Sequence, residues 1–138
     1  MEAKVCEKFS ISCLKEYQID TINNLLQEKD AFVSKKTGAG KSMCYQGFST
    51  AFDGKTMVIV VSPLNSIMEE QCASLNAIGI KSLILGKVAA IEEDVDYIFS
   101  SPELLLGNTE TRAKLRTLSA DGKIGLLAID EAHLVLQW

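Results

Sequence analysis

Two groups of residues in this sequence have the types and spacing to do chemistry on phosphate. Thr37-Gly38-Ala39-Gly40-Lys41-Ser42 joins small residues to a lysine and a hydroxyl. Small residues let successive backbone N–H groups close on phosphate oxygens. A helix beginning near Lys41 would add partial positive charge at its N-terminus. Lys41 can then reach the outer phosphates, and Ser42 offers an oxygen to Mg²⁺. The longer pattern GxxxxGK[ST] asks for Gly at position 35, where this chain has Lys35. The second group, Asp130-Glu131, follows the apolar run 124–129. At a strand tip the first carboxylate can hold Mg²⁺ and the second can orient or deprotonate water. Taken singly, each group also has a plain reading, as a glycine turn or as two solvated acids. Their presence in one chain favours the phosphate chemistry. His133, the lone histidine, is by itself a neutral loop residue. The DxxG and [NT]KxD elements of a guanine-nucleotide switch do not occur, nor do the HRD and DFG elements of a kinase.

Positioning such groups requires strands that end where the loops begin. Leu14, Tyr17, Ile19, Ile22, Leu25 and Leu26 recur at helical spacing, with Ser12 as the expected cap. Residues 31–34 read as a short buried strand before the glycine loop. A helix is expected from Lys41 to about Thr50. Residues 56–61 are apolar and β-branched, as in parallel strands buried on both faces. Residues 66–77 follow as a helix with Ile67, Cys72 and Leu75 inward, stopped by Gly79. Strands are expected at 81–85 and 96–99. Ser101-Pro102-Glu103 reads as a helix start, and 109–119 as a further short helix. Ile124–Ile129 is the fifth strand and reads as buried. The acidic stretch 92–96 is most simply a solvated loop. Strands alternating with helices imply βαβ units and a parallel sheet. Ligands of such sheets bind beyond the carboxyl ends of the strands, which is where the polar segments 35–42, 62–65, 100–103 and 130–133 fall.

Composition bounds the function. The chain has 138 residues, 47% of them hydrophobic and 23% charged, enough to fill the core of one domain or part of one. A net charge of −4 argues against binding nucleic acid by bulk charge, so any such contact must be local. The cysteines are Cys6, Cys13, Cys44 and Cys72, with no CxxC pair, so no zinc site of usual spacing is expected. Reduced thiols fit this chain better than a disulfide framework. Cys44 reads as a small buried apolar residue. Residues 1–5 lack the basic and apolar regions of a leader peptide. No apolar run approaches the roughly 20 residues of a membrane helix, so no membrane partner is expected.

Several segments resemble RecQ-like helicases of superfamily 2. Asp130-Glu131-Ala132-His133, followed by Gln137-Trp138, resembles their motif II and the start of the aromatic-rich loop. SKKTGAGKSMCYQ at 34–46 resembles motif I, including its Cys44-Tyr45-Gln46. VVSPLNSIMEEQ at 60–71 resembles motif Ia, and IFSSPEL at 98–104 the Pro-Glu segment. Leu14-Lys15-Glu16-Tyr17-Gln18 resembles motif 0. The resemblance implies a RecA-like P-loop three-layer α/β sandwich with a mostly parallel sheet, and an ATP-dependent 3′–5′ DNA helicase lineage. It implies that Gln18 bonds the adenine edge with Lys15 packed nearby, and that Thr37, Gly38, Ala39, Gly40 and Lys41 cradle phosphate. Ser42 and Asp130 would hold Mg²⁺, Glu131 would be the catalytic base, and His133 would couple the nucleotide to the DNA side. Ser62, Asn65, Ser101, Pro102 and Glu103 would lie near a single strand, and Gln137 and Trp138 would sense it. ATP and Mg²⁺ are the implied cofactors, single-stranded or forked DNA the implied partner, and the nucleus the implied location, with the cytoplasm as the alternative.

The sequence departs from the family in three places. Lys36 stands where the family usually has Pro, the stretch 86–96 is short, and nothing after Trp138 supplies motif III or the second RecA-like domain with its arginine finger. The 138 residues are therefore expected to be part of a first RecA-like domain, incomplete, running from motif 0 through motif II. Such a chain is expected to bind Mg-ATP but to turn over little and not to unwind. The rival expectations are a truncated nucleotide- or partner-binding module without catalysis, and an ATP-driven translocase on nucleic acid.

Overall fold

The computed structural model describes residues 1–31, 40–52, 54–62, 65–86, 94–107 and 109–129. The expected strand at 31–34 lies almost wholly outside them. The chain forms two compact units, Met1–Lys55 and Thr56–Trp138.

The first unit is helical in its described part: α1 (Glu2–Phe9), α2 (Glu16–Leu26), α3 (Met43–Gln46) and α4 (Phe48–Ala51). Helix α1 was not expected from the sequence. Met1, Val5 and Phe9 recur every fourth residue, and Val5 is fully buried with Leu14, Ile22 and Ala51. Ser10 ends the helix in the left-handed conformation, with φ 57°. Helix α2 starts at Glu16 with Lys15 at its N-cap, not at the expected Ser12. The Glu2 carboxylate accepts the N–H of Leu14 at 2.9 Å, which ties that position to α1 ahead of the helix start. The single helix expected from Lys41 to Thr50 is instead a turn at Lys41-Ser42 followed by α3, Gly47 and α4. A Cβ on Gly47 would sit 3.1 Å from Val5 Cγ1, 3.2 Å from the Met43 carbonyl oxygen and 3.4 Å from Ile22 Cδ1. A side chain there would press on both α1 and α2, which would have to give by a few tenths of an ångström.

The second unit is α/β. Its strands are β1 (Met57–Val61), β2 (Ser82–Ile84), β3 (Tyr97–Ser100) and β4 (Ile124–Ile129), with helices α5 (Asn65–Ala77), α6 (Pro102–Gly107) and α7 (Thr109–Ala120). The sheet order is β2-β3-β1-β4 and every pair is parallel. This is the α/β class with a parallel sheet that the alternating pattern implies. All five residues of β1 are buried, which matches its unbroken apolar sequence. Met57, Ile59 and Val61 pack with Ile98 and with Leu115 and Leu118 of α7. Helix α5 turns Met68, Cys72 and Leu75 inward. Ile67, expected inward, is only half-buried, because the 68/72/75 spacing follows one helical stripe and 67 lies beside it. Gly79, with φ 84°, ends that segment as expected. The 76–82 connection is tied by Asn76, whose Oδ1 accepts from the Ser82 N–H at 2.8 Å and whose Nδ2 donates to the Ser82 carbonyl at 3.2 Å.

Strand β4 corrects one expectation. It is not buried on both faces but alternates, with Leu127 57% and Ile129 50% exposed. Among the described residues it stands at the end of the strand order, with β1 on one side. A shift of register between Met57 and Val58 leaves Gly125 without a partner on β1, as a bulge residue does.

Gly47→Ala is expected to lower the stability of the folded chain by about 1–3 kcal/mol through overpacking. Urea unfolding followed by far-UV circular dichroism measures it. A change within about 0.5 kcal/mol would show that α1 can move away at little cost.

Candidate nucleotide-binding site

The first unit gathers motif 0 and the end of the glycine loop around one backbone carbonyl. Lys15 has extended backbone, and Gln18 is three residues into α2. The Gln18 Oε1 accepts the Lys15 N–H at 2.8 Å, satisfying one of the donors that a helix start leaves free. Lysine has no acceptor, so this is only one half of a capping box. The other end of the amide, Nε2, donates to the Gly40 carbonyl at 2.8 Å across 22 positions of sequence. Gln18 is therefore buried, with 6% of its surface exposed. The default for a glutamine on an amphipathic helix would have been a solvent-facing residue.

Gly40 has φ +80°, a conformation that side chains rarely adopt. A Cβ there would lie 2.8 Å from Gln18 Nε2, 3.8 Å from Tyr17 Oη and 3.9 Å from Lys15 Nζ. The Gly40 carbonyl also accepts the Met43 N–H at 3.2 Å, so both of its lone pairs are engaged. Lys41 and Ser42 occupy the turn between that carbonyl and α3 and are half-buried. The Ser42 carbonyl accepts from Tyr45 and Gln46 at 3.2 and 2.9 Å, which leads the turn into the helix. Behind it, burial pushes the Cys44 thiol up, and burial also raises the Tyr17 phenol. Cys44, 5% exposed, is the small buried residue expected. Tyr17 is the site-lining residue that sequence reasoning passed over. It was counted as one apolar position of a helix, although it adjoins Gln18.

The second unit brings its candidates to one edge of the sheet. Val61 pairs with Ser100 of β3 and with Ile129 of β4, so three parallel strands end at the same level. Ser62 follows β1 and is buried, and its N–H donates to the Ser100 carbonyl at 3.0 Å. Ser101 Oγ accepts the Leu104 N–H at 3.2 Å and so caps α6, with Pro102 at the first helical position. Asn65 and Glu103, in the first turns of α5 and α6, are exposed. Thr37, Gly38, Ala39, Asp130, Glu131, His133, Gln137 and Trp138 lie outside the described residues.

A parallel sheet with its polar loops at the carboxyl ends, together with a Gly-Lys-Ser turn, puts the chain in the class of RecA-like α/β proteins. The family model described as DEAD/DEAH box helicase matches residues 15–138, and the chain belongs to that family. Among its relatives are RecQ-type proteins. The ATP-dependent helicase wrn-1 of Caenorhabditis elegans is 39% identical over 141 residues, covering 96% of this chain and 13% of the relative. The ATP-dependent helicase SGS1 of Saccharomyces cerevisiae is 33% identical over 145 residues, covering 96% and 10%. The ATP-dependent DNA helicase RecQ of Haemophilus influenzae is 34% identical over 141 residues, covering 94% and 22%. The chain thus spans about a tenth to a fifth of the length of these relatives.

Gly40→Ala places a methyl group on the Gln18 amide and strains the backbone. We expect a loss of about 1–3 kcal/mol. Combined with Gln18→Ala in a double-mutant cycle, the two changes are expected to couple by more than about 0.5 kcal/mol. Additive losses would mean that the two residues do not act as a pair. Ser101→Ala removes the α6 cap and is expected to cost about 1 kcal/mol by the same unfolding measurement, with Ser101→Asp retaining most of it.

Proposed function

We propose that this chain forms the ATP-binding part of a RecQ-like ATP-dependent 3′–5′ DNA helicase, binding Mg-ATP and contributing to single-stranded DNA contact. The observation that carries the reading is the placement of Gln18. Its amide joins motif 0 to Gly40, the residue before Lys41, and also has the Tyr17 hydroxyl as a hydrogen-bond partner. The N7 and N6 edge of adenine takes one donor and one acceptor of an amide, so on binding the second Gln18 N–H would exchange the Tyr17 hydroxyl for the base. Lys15, whose ammonium lies beside Gly40, contributes positive charge on the same side.

In this reading Thr37, Gly38, Ala39 and Gly40 surround the phosphates and Lys41 neutralises their charge. The Ser42 hydroxyl and the Asp130 carboxylate are hard oxygen donors of the kind Mg²⁺ takes, and they would hold it. Bound Mg²⁺ would neutralise charge on the transferring phosphate. Glu131 takes the proton of the attacking water, and His133 links the nucleotide to the DNA side. Asn65 and Glu103 present polar groups at the strand ends, while Ser62, Ser101 and Pro102 set the backbone beneath them. Gln137 and Trp138 sense the single strand, Trp138 by stacking on a base. Turnover and unwinding need a second RecA-like domain, which supplies the groups that complete the transition-state site. The names of the relatives, ATP-dependent helicases and DNA helicases, support the reading. A nuclear site of action belongs to the same proposal.

The test is titration of the chain with a fluorescent ATP analogue and Mg²⁺, competed by ATP and by GTP. ATP is expected to compete at least tenfold better than GTP. Lys41→Ala should weaken binding of both by tenfold or more, and Gln18→Ala should remove the preference with less effect on GTP. A chain that binds neither nucleotide, or both equally, would sink the proposal. In a protein that carries the second domain, Glu131→Gln should abolish hydrolysis and leave ATP binding intact.

A further inference from the structure

The nucleotide reading has no use for Cys6 and Cys13, and the fold brings them to the same place. Cys6 lies one helical turn after Glu2 on α1, on the same face. After Ser10 reverses the chain, the Ile11 N–H donates to the Cys6 carbonyl at 3.0 Å. Three residues later the Leu14 N–H donates to Glu2 Oε2 at 2.9 Å. Residues 11–14 therefore run back along α1 from Cys6 toward Glu2, and Cys13 lies between the two anchors. Cys13 is exposed and Cys6 half-buried, whereas Cys44 and Cys72 are buried. The Cys6 thiol is pushed up by its surroundings, first by desolvation, then by the Glu2 carboxylate and by Cys13.

We infer that Cys6 and Cys13 form an oxidisable dithiol, at which a small-molecule disulfide of the glutathione type installs an internal disulfide tying α1 to the segment leading into α2. In the first step the exposed Cys13 gives up its proton and its sulfur attacks one sulfur of oxidised glutathione. The glutathione S–S bond breaks, and one glutathione leaves and takes up a proton. In the second step the Cys6 sulfur, after losing its proton, attacks the Cys13 sulfur of the mixed disulfide and expels the second glutathione, which is protonated in turn. The two protein thiols lose two electrons and two protons, and the glutathione disulfide gains them. Both steps need a thiolate, so the exchange quickens as pH rises. The bond closes a short loop between two segments already packed on Val5 and Leu14, and constrains the chain two residues before Lys15.

The inference is independent of the nucleotide proposal, and peptide mapping tests it. The reduced full chain is treated with oxidised glutathione at pH 7 and pH 8.5, alkylated, and cut with trypsin. Cleavage after Lys4, Lys8 and Lys15 leaves Val5-Cys6-Glu7-Lys8 and Phe9-Ser10-Ile11-Ser12-Cys13-Leu14-Lys15. We expect these two peptides joined by a disulfide as the main product, several-fold faster at the higher pH. Cys6→Ser should instead retain a glutathione adduct on Cys13. The oxidised wild-type chain should melt at least about 4 °C above the reduced chain, and Cys13→Ser should show no such shift. A lasting adduct on Cys13 of the wild type, linkage between chains, or unchanged melting would overturn it.

Discussion

The second unit depends on strand β1, a run of five apolar residues with no exposed face. Burial on both sides forces its backbone polar groups to find partners within the sheet, because water cannot reach them. Those partners are β3 on one side and β4 on the other, both parallel, and both in register at Val61. Parallel pairing obliges each connection to cross back over the sheet, which is why helices α5, α6 and α7 separate the strands. It also makes all the carboxyl ends point one way. The polar residues Ser62 and Ser101 thus follow their strands at the same end of the sheet. Neither needs to be near the other in sequence.

The first unit solves a different problem. It must hold a glycine in a left-handed conformation beside a lysine and serine, and such a backbone has no side chain of its own to fix it. Gln18 supplies the fixation from 22 positions away. A long amide is suited to this work because it carries a donor and an acceptor at one end. One binds the backbone of its own helix start, and the other binds the carbonyl of the loop. Burial raises both the Cys44 thiol and the Tyr17 phenol behind the turn.

Periodicity made much of this legible. The alternation of strands and helices, the β-branched run at β1, the helix starts at α5 and α6 and the stop at Gly79 all follow from local chemistry. The differences arise where a distant residue decides the outcome. Ser12 is a good capping residue, but Glu2 takes the Leu14 N–H and Gln18 takes that of Lys15, so the helix begins later. Helix α1 carries its apolar residues four apart among charges, and Val5 packs close against Gly47. The run in β4 reads much like that in β1, yet among the described residues one face of it, with Leu127 and Ile129, is left exposed. Gln18 itself looked like surface from helical spacing alone. Resemblance to motif 0 singled it out, and the hydrogen bonds give the physical reason it is buried.

That burial bears on how a nucleotide would be read. A flexible surface glutamine would lose the freedom of several side-chain torsions on binding, a cost that weakens recognition. Gln18 has already lost it. Its amide plane is held by Lys15 on one side and Gly40 on the other, with the Tyr17 hydroxyl as a further partner. A base presenting a donor and an acceptor at that spacing meets groups already in place. A base with the opposite pattern would require the amide to flip, breaking both existing bonds and setting N–H against N–H at Lys15 and oxygen against oxygen at Gly40. Leaving such groups unpaired costs about 1–3 kcal/mol each. Discrimination between bases would then come as much from what holds Gln18 as from Gln18 itself.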